Sequence, residues 1–367
     1  MRRRLAAAAA TLVLVACTAA AQTAEITIYD LDVRNTNLFD LCVVEGRVFV
    51  ALPGSRAVAA VDPDGETVQM LPVGEAPVSL VWTNEGLFFS YYGGIGFVDP
   101  ETGETASWRI PGSVGKVRSL VEAEFTTGLV TLWFAQESPD KVASFEPSSI
   151  PRSTPDQEIP EPVALQADAA DVEPSITPVE PSSYTLETPL LFRTVGSYQS
   201  DFAWWTPFVR SRGVDRLAVG AMARLWFSQS GDTIFLLESF SDSIFRHSLA
   251  AGTVATSVTV SPTGDVWYLD TAGRAACRLD PKTLEVAVWG LPAGGAPYDI
   301  AVGDADVWIS NRIAGAIDRL DPATGEIRRW AIGAGMKPSI LGIDAAGAVW
   351  FIEEATRGIG RLTVTDP

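Results

Sequence analysis

The feature that most constrains this chain is a unit written twice between Pro297 and Leu362. The first copy reads PYDIAVGDADVWISNRIAGAIDRLDPATGEIRRWAIG, and the second reads PSILGIDAAGAVWFIEEATRGIGRL before it stops. Each passes through an apolar run, a small-residue turn, a Val-Trp-apolar run, a polar loop and an Ile-x-Arg-Leu run. A period near forty residues built from four short β-runs is the signature of a propeller blade.

Tracing the unit backwards gives one aromatic anchor per repeat, on its second strand: Phe49, Phe88, Trp133, Trp226, Trp267, Trp308 and Trp350, spaced by 39, 45, 93, 41, 41 and 42 residues. Each sits among Val, Leu, Ile, Phe or Tyr neighbours, which is strand chemistry. After most anchors an acidic-Pro pair closes the third strand: Asp62-Pro63, Asp99-Pro100, Glu146-Pro147, Asp280-Pro281 and Asp321-Pro322. Pro lacks an N–H and Gly accepts positive φ, so Asp-Pro-x-x-Gly makes a tight turn into the next strand. The expected fold class is all-β, a seven-bladed β-propeller of four-stranded blades. The last repeat lacks a fourth strand, and Glu25-Ile26-Thr27-Ile28-Tyr29 resembles the missing one, so the N-terminal strand is expected to complete the last blade.

The long spacing of 93 contains a stretch, 148–189, rich in Pro, Ser, Glu and Asp, with Arg152 its only basic residue. Such a composition cannot bury enough apolar surface to offset its conformational entropy, so a disordered insertion is expected. It would divide blades 1–3 with the closing strand (25–147) from blades 4–7 (190–367). Phe202, Trp204, Trp205 and Phe208 then fall outside the repeat register, as a cap on the propeller or as a partner-binding patch.

Residues 1–24 read as an export signal, with Arg2, Arg3 and Arg4 before a short apolar run from Leu5 to Ala16. Leu14-Val15-Ala16-Cys17 resembles a lipobox, in which Cys17 would carry a lipid; cleavage after Ala19-Ala20-Ala21 is the alternative. The expected location is the periplasm or cell surface, with membrane contact only through that anchor. A formal charge of −18 argues against nucleic acid as a partner. Cys42 and Cys277 fall in strands of different blades and read as buried small hydrophobes.

The run Ala348-Val349-Trp350-Phe351-Ile352-Glu353, leading through Ile359-Gly360-Arg361-Leu362, with Leu320-Asp321-Pro322-Ala323-Thr324-Gly325-Glu326 before it, resembles the streptogramin B (virginiamycin B) lyase family. The resemblance implies a seven-bladed propeller and metal-dependent elimination that opens a cyclic depsipeptide. It also implies two histidines and a glutamate around the central channel, commonly with His after the Pro that opens a first strand. Here Val78, Tyr298 and Ser339 follow Pro77, Pro297 and Pro338, and the chain's single histidine, His247, falls on a fourth, outer strand, as a surface or edge residue. The two-histidine mechanism cannot be assembled, and elimination would need another base such as a carboxylate.

The residue three after each anchor is expected to line one rim of the channel: Leu52, Tyr91, Gln136, Gln229, Asp270, Asn311 and Glu353. Starts of the inner strands add Phe39, Asp215, Thr256, Tyr298 and Ser339, with Glu137, Arg312 and Glu354 one step outward. Asp270 and Glu353 are candidate ligands for a hard cation, Mg²⁺ or Ca²⁺. No GxSxG elbow, Walker loop, HExxH or CxxC pair is present. These features point to an exported envelope propeller that binds a protein, peptide or small molecule at the rim. The alternative is a metal-dependent lyase or an SMP-30/lactonase-like hydrolase using rim carboxylates.

Overall fold

The computed structural model describes residues 23–33, 37–63, 67–110, 115–123, 131–136, 141–145, 202–205, 214, 216–229, 231–238 and 243–365, with the short strands 12–13, 163–164 and 166–168. The fold is a seven-bladed β-propeller of four-stranded antiparallel blades. Helix among the described residues is confined to two 3₁₀ turns, Pro53–Ser55 and Ala221–Ala223, and none is long and apolar enough to cross a membrane.

The chain divides into two compact units. The first comprises Met1–Pro72, Ile159–Thr177 and Pro292–Pro367. It holds blade 1 (four strands between Leu41 and Pro72), blade 6 (Pro297–Val302, Val307–Asn311, Ala316–Leu320, Ile327–Ala331) and blade 7 (Pro338–Ile343, Val349–Glu353, Gly358–Thr365). Strand Thr23–Asp30 pairs antiparallel with Gly358–Thr365, the third strand of blade 7, Tyr29 opposite Ile359. The second unit, Val73–Glu158 with Pro178–Leu291, holds blades 2 to 5.

The anchors are buried between blades, where each sheet hides its apolar face. Trp350, Ile352 and Ile359 of blade 7 pack on Leu41, Val48 and Val50 of blade 1, and Trp308 and Ile317 of blade 6 pack on Leu341 and Phe351 of blade 7. The recurrent Ile-x-Arg-Leu run has a packing reason. Its Arg lies directly across the sheet from the anchor, so Arg319 sits over Trp308 and Arg361 over Trp350, as does Arg278 of the variant run Ala276-Cys277-Arg278-Leu279 over Trp267, 5.3–6.0 Å from the ring centroids. The acidic-Pro turns are built by the Asp side chain. Asp321 Oδ1 accepts from Ala323 N and Thr324 N, and Asp280 does the same from Lys282 N and Thr283 N. The Thr324 hydroxyl, donating to Asp321 Oδ2, with the backbone N–H groups holds the Asp321 carboxyl below its ordinary range, and the Lys282 N–H chiefly does so for Asp280.

Among the described residues successive first strands share no β-ladder, and three such pairs are joined by single buried side chains. Ser79 Oγ accepts from Leu120 N and Ser119 Oγ from Leu217 N in the second unit; Asp299 Oδ2 accepts from Leu341 N at 2.9 Å in the first.

Blade 3 differs from the expected boundaries. Its outer strand is Phe202–Trp205, paired with Val142–Phe145. These aromatics are therefore in the repeat register, and the insertion lies inside blade 3. Within 148–189, Val163–Ala164 pairs with blade 1 and Gln166–Asp168 with Ile28–Asp30; the rest of the insertion, Phe208 and Cys17 lie outside the described residues. Leu12–Val13 pairs with Glu25 and Ile26. Cys42 and Cys277 are free thiols. Cys277 is buried as expected, and burial pushes its thiol up to about 12, whereas Cys42 is half-buried.

His247 does occupy an outer strand, but it is 4% exposed rather than on the surface. It pairs with Ile234, and Ile234 and Leu249 belong to the apolar cluster between blades 4 and 5. Neither ring nitrogen has a hydrogen-bond partner, and burial lowers the imidazole pKa from 6.5. The unfolded chain therefore takes up a proton near pH 6.5 that the folded chain resists. Stability is full above that pH and falls as the pH drops through it toward the folded value. Replacing His247 by Leu is expected to raise the urea midpoint and to flatten its decline between about pH 7.5 and 5.5.

One backbone position recurs seven residues after the anchor, in the left-handed region: Arg56 (φ 49), Arg274 (φ 52), Gly315 (φ 58) and Arg357 (φ 62). At Gly315 a Cβ would lie 2.7 Å from the Gly333 carbonyl oxygen and 3.0 Å from that of Met336. Gly315→Ala is expected to cost about 2 kcal/mol, from the left-handed backbone together with the clash, measurable by denaturant unfolding.

Candidate functional site

The site is built where second strands run out into the loops toward third strands. In blade 6 the second strand ends at Asn311, which is 1% exposed. Its Oδ1 accepts from Ala296 N at 2.9 Å and Ala314 N at 3.2 Å. The amide thus ties the outgoing loop to the segment that feeds the blade's first strand. Glu353 does the same in blade 7, with no exposure: Oε1 accepts from Lys337 N (2.6 Å) and Ala355 N (3.1 Å), and Oε2 from Thr356 N and Oγ1 (both 2.6 Å). Asp270 repeats the pattern in blade 5, where Oδ1 accepts from Val254 N, Ala272 N and Gly273 N at 3.0–3.1 Å.

These residues were expected as an exposed rim. Instead Leu52, Tyr91, Gln136, Gln229, Asn311 and Glu353 are all at most 3% exposed, and Asp270 is half-buried. For Asp270, Asn311 and Glu353 the physical reason is that the last strand residue curls into the loop it closes, so its polar end meets backbone N–H groups rather than solvent. Tyr91 donates to Trp108 O, and burial raises its phenol pKa. Ser339, also buried, donates to Ile352 O. Thr256 is half-buried, while Asp215 and Glu137 lie outside the described residues.

The cation reading fits these carboxylates poorly. Glu353 receives two donors on each oxygen, so the lone pairs a hard cation would need face N–H and O–H groups, and three N–H groups crowd Asp270 Oδ1. Among the described residues, no group of three or more His, Cys, Asp or Glu side chains is placed to hold a metal ion.

The next residue outward is the one that faces solvent. Arg312 and Glu354 form an ion pair, with side chains 37% and 29% exposed, and the Arg312 guanidinium lies 4.6 Å from the Tyr298 ring centroid. Tyr298 is 40% exposed because the first strand of blade 6 bulges between Pro297 and Ile300, turning Tyr298 outward and the Asp299 carboxylate inward. Phe39, on the approach to blade 1, is 42% exposed. Together with Asn37, Leu38 and Arg357 these groups enclose a cleft of about 350 Å³, within the range of small-ligand sites. All of it lies in the first unit.

Of the sequence candidates, the structure brings together Phe39, Tyr298, Arg312 and Glu354. Arg357 was missed. Its signal was its place seven residues after the anchor, where the left-handed backbone carries the side chain out of the sheet.

Among solved structures, the chain resembles virginiamycin B lyase from Staphylococcus aureus at 15% identity and TM-score 0.70, covering 93% of this chain and 100% of that one. A catalytically inactive form of that lyase with quinupristin matches equally well, at 15% identity, TM-score 0.70 and the same coverage. The β-propeller domain of Myceliophteria thermophila Cps50 (Swd1) matches at 12% identity and TM-score 0.64, covering 92% of this chain and 100% of that one. No protein-family model and no curated protein matches the chain.

Proposed function

We propose that this propeller is an exported cell-envelope binding or interaction module whose working surface is the cleft between Phe39, Tyr298, Arg312 and Arg357. The observation that carries the reading is the exposure of two aromatic rings, 42% and 40%, beside charged groups in one concave site. Aromatic surface left open next to Arg is what a partner or ligand covers. The fold is shared by a lyase and by the Cps50 (Swd1) propeller domain, so the architecture is compatible with interaction and does not prescribe catalysis. Export is read from Arg2-Arg3-Arg4 and the apolar run behind them, with Cys17 the point of lipid attachment. An elimination or lactone-opening reaction would need a base in the cleft, and its one carboxylate, Glu354, is paired with Arg312.

The test is a ligand-observed NMR screen of anionic, neutral and cationic fragments against the full chain and a Phe39→Ala/Tyr298→Ala variant. The reading expects a set of fragments that contact the wild type and lose contact in the folded variant. Fragments that bind both forms equally, or an absence of any binder, would overturn it.

A further inference from the structure

The charges of the cleft do not cancel. Glu354 answers Arg312, and Arg312 is also committed to the face of Tyr298. Arg357 has no hydrogen-bond or ion-pair partner among the described residues, is exposed, and lines the same cleft. One uncompensated guanidinium therefore stands beside two open aromatic rings and the partly buried Leu38.

We infer that the cleft takes a ligand carrying a flat aromatic group next to a single carboxylate, an inference that rests on the cleft being the binding surface. The ring would lie against Phe39 and Tyr298, where offset or edge-to-face contact adds to area burial. The carboxylate would take the fork of Arg357, whose paired N–H donors match two carboxylate oxygens. Competing chemistries fit less well. A cationic ligand would meet Arg357 with the only acid already paired. A polyanion such as nucleic acid needs many basic contacts, and this chain carries a net charge of −18. A neutral aromatic would leave the guanidinium without a counter-charge. Two sources share the favoured chemistry: a free aromatic acid, and the C-terminal aromatic residue of a peptide.

Calorimetry on the full chain separates these cases. The probes are N-acetylphenylalanine, its amide, N-acetylalanine, phenylacetate and the tripeptide Gly-Gly-Phe. N-acetylphenylalanine is expected to bind at least about tenfold more tightly than either the amide or N-acetylalanine, since one lacks the charge and the other the ring. Arg357→Asn keeps a residue tolerant of the left-handed backbone and should weaken the acid about tenfold while leaving the amide unchanged. Arg274→Asn has the same backbone and chemistry outside the cleft lining, and should change nothing. Gly-Gly-Phe binding more tightly than phenylacetate assigns the site to peptide C-termini, and the reverse order to free aromatic acids. Equal binding of acid and amide, or indifference to Arg357→Asn, overturns the ligand class. So does a failure of every aromatic acid while neutral fragments still depend on Phe39 and Tyr298, and in that case the cleft itself stands. If the fragments also ignore those rings, both readings fall.

Discussion

Glu353→Ala is expected to lower the unfolding free energy by about 3 kcal/mol, a large effect for one exchange at the end of a strand. Glu353 has no exposure and accepts from three backbone N–H groups and one hydroxyl, joining the loop at Ala355–Thr356 to Lys337, where the chain approaches the blade's first strand. Alanine removes every acceptor at once and leaves a void the loop cannot fill without moving. Glu353→Gln retains one carbonyl oxygen and should recover part of the loss. Chemical unfolding of the three proteins checks this. A fully stable alanine variant would show that the loop holds its path without the carboxylate, and would return Glu353 to the pool of residues available for a ligand. Because Glu354 and Arg357 hang from this loop, the destabilised variant should also weaken whatever the cleft binds.

Asp318→Ala is expected to cost about 3–4 kcal/mol. The Asp318 side chain is fully buried and receives Arg329 Nε at 2.6 Å and Nη2 at 2.8 Å, with the Arg329 side chain 15% exposed. Arg329 also donates to the carbonyls of Ala293 and Pro292, so it holds the segment leading into blade 6. This carboxylate accepts from the guanidinium and raises its pKa, so removing the acid strands a charge that cannot be neutralised at any working pH. The loss should be mainly the penalty of that unpaired charge. Asp318→Leu with Arg329→Met is therefore expected to restore most of the stability, short of the two carbonyl contacts. A double variant as unstable as Asp318→Ala would contradict this account and place the cost in packing.

The propeller was legible in the sequence because each blade repeats one solution to one problem. A Trp or Phe must be covered by the next blade, which recurs from Phe49 to Trp350, and an acidic residue before Pro turns the chain after the third strand in five of the seven units. Tyr298, Phe39, Arg312 and Glu354 were legible as residues at one end of the strands. The use of Asp270, Asn311 and Glu353 was not. Charge and position are the same for a carboxylate facing solvent and for one facing three N–H groups, and only the path of the loop decides between them. The outer strand of blade 3 was hidden for a different reason. Its partner Lys141–Phe145 stands more than fifty residues earlier, and a repeat period cannot be followed across an insertion of unrelated composition.

The pairing of Thr23–Asp30 with Gly358–Thr365 joins two stretches that leave the ribosome far apart in time. About 330 residues separate the two, which at cellular translation rates is roughly 15 to 70 seconds during which the strand lacks its full-length partner and has only the short pairings with Leu12–Val13 and Gln166–Asp168. An exposed strand edge of that duration invites pairing with other nascent chains. Any product that terminates before Gly358 never acquires the partner at all. Truncated copies are therefore expected to stay bound to holding chaperones and be degraded, while only full-length chains mature.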